Sequence, residues 1–206
     1  MSKTDSYTVT VGEAPDFGIS VSPTSGSAAQ GGSKTATVAI SSVGGFSSPV
    51  TITVGYPSGS GLTFAISSNP MSAPSSATLY IYTSSSTPTG TYTLTITGTS
   101  GSLTHSCTYT LTVTAAPKTA TQMVVTTAPP SNVTVGQQFT FAGYLRDVNG
   151  NRLAGKTYVL NINGQDYATT GTTNSTGEWG WTISVGATGT YTYYCKFPGD
   201  TAYEGC

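Results

Sequence analysis

The chain has 206 residues, of which 7% are charged, and its formal net charge is −1. So few cations cannot neutralise a run of phosphates, which argues against nucleic acid as a partner and against an electrostatic membrane anchor. No apolar run approaches the roughly 18 residues that cross a bilayer, so the sequence predicts no membrane insertion.

The first half of the chain alternates polar and apolar residues with a period of two, which is typical of β-strands. Clusters of Gly, Ser and Pro such as SPTSGS and YPSGSG separate the alternating segments and predict turns. The predicted strands cover residues 17–22, 34–41, 50–55, 62–66, 77–83, 91–98 and 103–113.

The second half follows the same pattern, with turns predicted at DVNGN, NSTG and GATG. Its predicted strands cover residues 122–127, 138–145, 156–163, 165–170, 178–185 and 190–197. Short strands at this spacing, without any helical periodicity, predict an all-β fold of two antiparallel β-sandwiches in tandem.

An internal repeat divides the chain. YTVTVGEAP at 7–15 returns as YTLTVTAAP at 109–117, and GTYT occurs at 90–93 and again at 189–192. Both echoes lie roughly 100 residues apart, which indicates two copies of one unit. The predicted organisation is an N-terminal strand and linker at 1–15, a first domain at 16–116 and a second domain at 117–206.

Several motifs carry a family resemblance. The first unit, with DFGISVSP, KTATVAIS and PTGTYTLTITGTSGSLTHS, resembles the immunoglobulin-like (Ig-like) modules of secreted archaeal and bacterial proteins. The second, with VGQQFTFAGYLRDVNGNRLAGKTYVL and GTYTYYCKFPGDTAY, resembles bacterial Ig-like modules of cell-surface and adhesin proteins. The resemblance implies a scaffold rather than an activity. Tyr92 and Tyr191 match the tyrosine-corner position of such sandwiches.

The repeat also predicts that the second sandwich lacks its own last strand. In the first unit the closing strand YTLTV starts 17 residues after Tyr92, and the same spacing after Tyr191 falls near residue 208. The N-terminus carries a spare copy of this strand, with Tyr7, Val9 and Val11 on one face.

These observations predict a structural subunit of an extracellular or cell-surface filament. Residues 6–12 of one copy would complete the second domain of the next copy by donor-strand complementation, giving a head-to-tail homopolymer. This logic resembles that of donor-strand-assembled thread and pilus-like filaments. The alternative is a tandem Ig-like spacer or adhesive segment of a larger surface protein, with glycans or other surface proteins as partners. An accessory domain of an exported hydrolase is the third interpretation.

Neither a catalytic nor a cofactor site is predicted. His105 and Cys107 lie on one face of a predicted strand, without a third group to hold a base in place, and this favours packing at the sandwich rim. A metal site would need further ligands beside them, and the sequence places none there.

The segment DVNGN imitates the start of a calcium-binding loop through Asp147, Asn149 and Asn151. Such a loop needs Gly at its sixth position and Glu at its twelfth, where this chain has Arg152 and Tyr158. A hairpin turn is therefore favoured, and an incidental calcium site is the alternative.

The three cysteines indicate an oxidising compartment. We predict a disulfide between Cys195 and Cys206, which would tie down the C-terminal segment. The alternative is that both residues are free thiols. Cys107 is predicted to be a buried free thiol, with an intersubunit bridge as its alternative.

Two further features bear on binding and modification. Trp179 and Trp181 share one face of a strand and are predicted to pack in the core, although an exposed pair would stack on sugar rings. The sequons NVT at Asn132 and NST at Asn174 predict N-glycosylation in surface loops.

Overall fold

The computed structural model of the protein describes residues 7–206, apart from the side chains of residues 168 and 169. Residue 6, the first position of the predicted donor strand, therefore lies outside the described residues. All regular structure within 7–206 is β-strand. The strands are β1 (Asp16–Ser22), β2 (Ser25–Ala29), β3 (Ser33–Val43), β4 (Pro49–Gly55), β5 (Leu62–Ile66), β6 (Met71–Ser72), β7 (Ser75–Thr83), β8 (Gly90–Ser100), β9 (Leu103–Thr114), β10 (Thr121–Thr127), β11 (Gln138–Asp147), β12 (Thr157–Ile162), β13 (Gln165–Thr172), β14 (Glu178–Ser184) and β15 (Tyr193–Lys196).

The chain divides into two compact units, Met1–Ala116 and Pro117–Cys206. The first unit has one sheet in the order β1-β3-β7-β5 and a second in the order β2-β9-β8-β4-β6. Inward side chains from both sheets form one buried cluster, as a β-sandwich requires. The alternation of apolar and polar residues read from the sequence places these side chains, because successive residues of a strand point to opposite faces.

One pairing in the first unit is not antiparallel. The short strand β2 runs parallel to β9, with Ala28 opposite Val113, so the expectation of a purely antiparallel sandwich is corrected at this edge. The segment SGSAA has no apolar alternation, and nothing in its sequence predicted a strand. It is a strand because its backbone pairs with β9.

The second unit consists of two smaller sheets, β10-β11-β14 and β13-β12-β15. Its core is divided into a main cluster around Phe141, Leu160 and Trp179 and a minor one around Leu145 and Phe197. The chain is thus an all-β tandem of two Ig-like sandwiches. No helix long and apolar enough to cross a bilayer occurs among the described residues.

Both units contain the tyrosine corner that the repeated GTYT motif suggests. The Tyr92 hydroxyl donates to the carbonyl oxygen of Pro88 at 2.7 Å, and the Tyr191 hydroxyl donates to that of Ala187 at 3.1 Å. Each bond spans four residues and fixes the chain as it enters the strand that follows.

Replacing Tyr92 or Tyr191 by Phe removes one hydrogen bond and leaves the ring, so we expect each change to lower the free energy of unfolding by about 1 kcal/mol. Both tryptophans, Trp179 and Trp181, lie in the second unit. Tryptophan fluorescence during urea unfolding should therefore report Tyr191→Phe and be insensitive to Tyr92→Phe, which circular dichroism should detect. Equal shifts of the fluorescence-detected urea midpoint in the two variants would contradict the expectation that each tyrosine corner stabilises only its own unit.

Candidate functional site

The candidate site is the free edge of β15 in the second unit. Within the part of the chain that the structure describes, β15 pairs with β12 on one side and with no strand on the other. Its equivalent in the first unit, β8, lies between β4 and β9. Unpaired N–H and C=O groups at a sheet edge favour the addition of another strand.

A groove of about 570 Å³ opens beside this edge. One wall is formed by residues 129–135 and the other by residues 187–191 with Tyr193, and Phe139 and Val185 complete the lining. None of the side chains that line it is charged. The groove therefore suits an uncharged apolar segment rather than an ionic ligand.

The β15 wall corresponds to the β8 strand of the first unit. The two GTYT motifs place Gly189 at the position of Gly90 and Tyr193 at that of Leu94. In the first unit β9 covers this wall, and Leu94 is fully buried opposite Tyr109. Tyr193 is only half-buried. The second unit thus contains the counterpart of β8 but, among the described residues, no strand at the position of β9.

The opposite wall corresponds to β2. Gly31 N donates to Ser84 O at 3.0 Å, and Gly136 N donates to Val185 O at 2.9 Å. In each unit the glycine turn is thus bound to the residue directly after a strand, Ser84 after β7 and Val185 after β14. Both glycines have positive φ, 73° and 82°. This equivalence places residues 130–134 at the position of β2, yet they form no strand. In the first unit, β9 supplies the strand with which β2 pairs.

The N-terminal arm, which we define as residues 7–12, is exposed. Tyr7, Val9 and Val11 are 89%, 83% and 88% exposed, and residues 7–15 form no strand. Their counterparts in β9 are Tyr109, Leu111 and Val113, which are almost completely buried. The same five-residue pattern is therefore buried in the core at 109–113 and exposed to solvent at 7–11.

The chain itself starts a hairpin after β15. Phe197 and Cys206 exchange two backbone hydrogen bonds of 2.8 and 2.9 Å. This pair occupies the place of Gly98 and His105 in the β8–β9 hairpin. The groove begins a few residues further along the same edge, beside Tyr193.

All three cysteines are free thiols, so the Cys195–Cys206 disulfide is not formed in this structure and stays a prediction. Cys195 points into the core, and burial raises its pKa to about 12, whereas Cys206 is exposed. Cys107 is half-buried, and burial raises its pKa as well.

We expect a thiol reagent to modify Cys206 rapidly in the reduced native protein and Cys195 only on unfolding, because the thiolate is the reactive form. Ellman's assay with and without denaturant measures this, and Cys206→Ser should remove the fast phase. Equal rates for both thiols in the native protein would contradict the burial of Cys195. Loss of both the Cys206 and the Cys195 thiols on mild oxidation, with Cys107 still free after unfolding and without dimers, would demonstrate the predicted bridge.

His105 has a partner that the sequence did not reveal. Its Nε2 lies 2.8 Å from Asp16 Oδ1, and its ring packs edge-on against Phe17 at 4.8 Å. The hydrogen bond from His105, with that from Phe17 N, lowers the pKa of Asp16. These residues are 89 positions apart, so no local motif could have paired them.

The DVNGN segment is a tight turn built on Asp147. One of its carboxylate oxygens accepts from Asn149 N and Asn151 N, and the other accepts from Asn151 Nδ2, each at 2.9 Å. Both oxygens are therefore engaged within the turn, as the hairpin interpretation implies. The Asn151 side chain is the main reason that the pKa of Asp147 is lowered.

A pKa lowered by folding stabilises the native state above roughly pH 4, and the contribution is lost as pH falls through the lowered value. We expect Asp147→Asn to lower the urea midpoint of the second unit at pH 7, and the deficit to shrink at about pH 2. Tryptophan fluorescence measures both. Val148→Ala, at an exposed site in the same turn, is the control. A deficit that is independent of pH would rule out the carboxylate as the cause.

The tryptophan pair faces inward. Trp179 is 3% exposed and packs edge-on against Phe141 at 5.0 Å, while Trp181 is partly buried against Tyr158 at 5.7 Å. This arrangement is core packing, and it leaves no exposed two-indole platform for a sugar.

Both sequons lie on the surface. Asn132 is exposed on the groove wall. Asn174 is also exposed, but its Oδ1 accepts from Thr176 N and Glu178 N, and its Nδ2 donates to Glu178 Oε2 at 3.0 Å. Glycosylation at either site stays a prediction.

Comparisons with known proteins give fold-level similarity only. No protein-family model matches the chain. No curated protein matches it. Among solved structures it is similar to domains 4 and 5 of the S-layer protein SbsC, with a TM-score of 0.40, 20% identity and coverage of 50% of this chain and 54% of that one. It is also similar to the D00-D0 domain of intimin, with a TM-score of 0.37, 13% identity and coverage of 92% of this chain and 96% of that one. A third similar structure is that of titin domains z1z2 in complex with telethonin, with a TM-score of 0.49, 16% identity and coverage of 93% of this chain and 92% of that one.

Proposed function

We propose that this protein is a non-enzymatic structural subunit of an extracellular filament, in which the arm of one copy enters the groove of the next. The observation that supports this most strongly is the contrast between the exposed YTVTV arm and its copy in β9. That copy fills the place in the first unit that the groove occupies in the second.

The β9 pairing supplies a register for the inserted arm. Tyr109, Leu111 and Val113 lie opposite Leu94, Tyr92 and Gly90. Transferred to the second unit, Tyr7 lies opposite Tyr193, Val9 opposite Tyr191 and Val11 opposite Gly189. The three apolar side chains then point into the core, and the intervening threonines face solvent.

The energetics make insertion feasible. Burial of three apolar side chains contributes roughly 1.5–3 kcal/mol each, and about five ladder hydrogen bonds contribute roughly 0.5–1.5 kcal/mol each. The total, on the order of 10 kcal/mol, is comparable with the roughly 4–15 kcal/mol that association costs. Contacts outside the arm must therefore add to the stability of the joint.

The geometry of the contact determines the kind of assembly. The arm belongs to the first unit and the groove to the second, so the surfaces differ and the contact is head-to-tail. Such a contact propagates as a filament unless it closes into a ring. The low charge, the sequons and the Ig-like tandem are consistent with an extracellular or cell-surface location.

A tandem Ig-like segment of a larger surface protein is the second candidate. Because β9 is the last strand of its sandwich, the arm reads equally well as the last strand of a preceding one. In that case the arm has no partner strand among the described residues, and its removal would not change the association of the chain.

We expect Val9→Asp to abolish filaments, because it would bury a charge opposite Tyr191. Thr10→Asp carries the same charge on the outward face, equivalent to the exposed Thr112, and should assemble. Negative-stain microscopy and size-exclusion chromatography measure assembly, and thermal unfolding should show both variants folded.

A deletion of residues 1–12 completes the test. Stable monomers of identical size with and without the arm would refute donor-strand polymerisation and favour the surface-protein segment. Filaments from the full chain that the deletion abolishes would refute the segment.

A further inference from the structure

The arm is fastened to the first unit immediately after Gly12. The backbone oxygens of Glu13 and Ala14 lie so close to Gly44 that a Cβ on this glycine would come within 2.5 Å of both. The predicted linker GEAP is therefore not a free spacer, because two of its residues rest on the turn between β3 and β4.

The next residues are fixed as well. Asp16 begins β1 opposite Val43, and its carboxylate is bound by His105 at 2.8 Å. Phe17 is 2% exposed in the core. Residues 13–17 thus form a root on the first unit, and of the described residues before it, 7–12 are exposed and unpaired.

The register of the inserted arm fixes where this root must lie. In the first unit Gln30 N donates to Thr114 O at 2.9 Å. The repeat makes Val135 the equivalent of Gln30 and Gly12 the equivalent of Thr114, so the arm would leave the groove beside Val135. From Gly12 to Ala14 the chain spans at most about 7 Å. The Gly44 turn of the donor must then lie next to the Val135–Gly136 turn of the acceptor.

We propose a second interface between copies of this chain, formed by the donor's turn at residues 43–45 and the acceptor's turn at residues 135–136. This inference rests on the proposed function and names a surface outside the groove. Val43 and Val135 are 37% and 53% exposed, and each would be covered by the other turn. The interface provides the additional contact that the arm needs, and it limits rotation between subunits.

Disulfide crosslinking tests the interface. In a Cys206→Ser background, the double variant Val43→Cys with Val135→Cys should give a ladder of multimers on a non-reducing gel after oxidation. The control replaces Val135→Cys by Val148→Cys, which is 69% exposed at the opposite end of β11. It should assemble into filaments and remain monomeric on the gel.

The outcomes separate the two proposals. Filaments without a ladder in the Val43→Cys, Val135→Cys protein would overturn the interface and leave donor-strand assembly standing. A ladder of equal strength in the Val148→Cys control would also overturn it. Absence of filaments in the Cys206→Ser parent would overturn the proposed function and the interface with it.

A glycine pair supplies a test without cysteines. Gly44 and Gly45 both have positive φ, 57° and 78°, so alanine strains either backbone, but only the Cβ added at Gly44 would clash with the root. Gly44→Ala should reduce the rate of filament formation at least tenfold relative to Gly45→Ala at similar thermal stability. Equal rates would show that the root does not position the arm.

Discussion

An edge strand needs a partner for its backbone, and the second unit depends on this constraint more than on any other. In the first unit β9 lies between β8 and β2 and satisfies both. In the second unit the equivalent edges face a groove. Three features accompany that difference: β15 is limited to Tyr193–Lys196, residues 130–134 form no strand, and Tyr193 is half-buried where Leu94 is fully buried.

Hydrogen bonds that do not involve a closing strand nevertheless fix both walls of the groove. The tyrosine corner of Tyr191 fixes one wall, and the bond from Gly136 N to Val185 O fixes the other. Both have counterparts in the first unit, where the strand is present. In the proposed assembly, a groove with fixed walls lowers the ordering cost of binding a strand. In the same proposal, the root at Gly44 lowers that cost further for the copy that supplies the arm.

The low charge of the chain is compatible with the proposed insertion of the arm. Neither the groove nor the arm segment YTVTVG carries a charge, so pairing depends on shape, apolar burial and backbone hydrogen bonds. The same properties make an unpaired edge prone to unspecific association. Register limits that risk, because a slip of one residue would turn Tyr7, Val9 and Val11 to solvent.

The sequence by itself determined the all-β fold, the strands with clear alternation and the repeat, because period-two patterning and Gly/Pro turns are local signals. It also identified the arm, since YTVTV copies YTLTV. It did not predict β2, whose SGSAA sequence is a strand only through pairing with β9. Nor did it predict the Asp16–His105 pair, or that residues 13 and 14 rest on Gly44. These contacts join positions far apart in the chain, so only tertiary structure decides them. The groove wall at 130–134 belongs to the same class, because its neighbours across the groove are distant in the sequence.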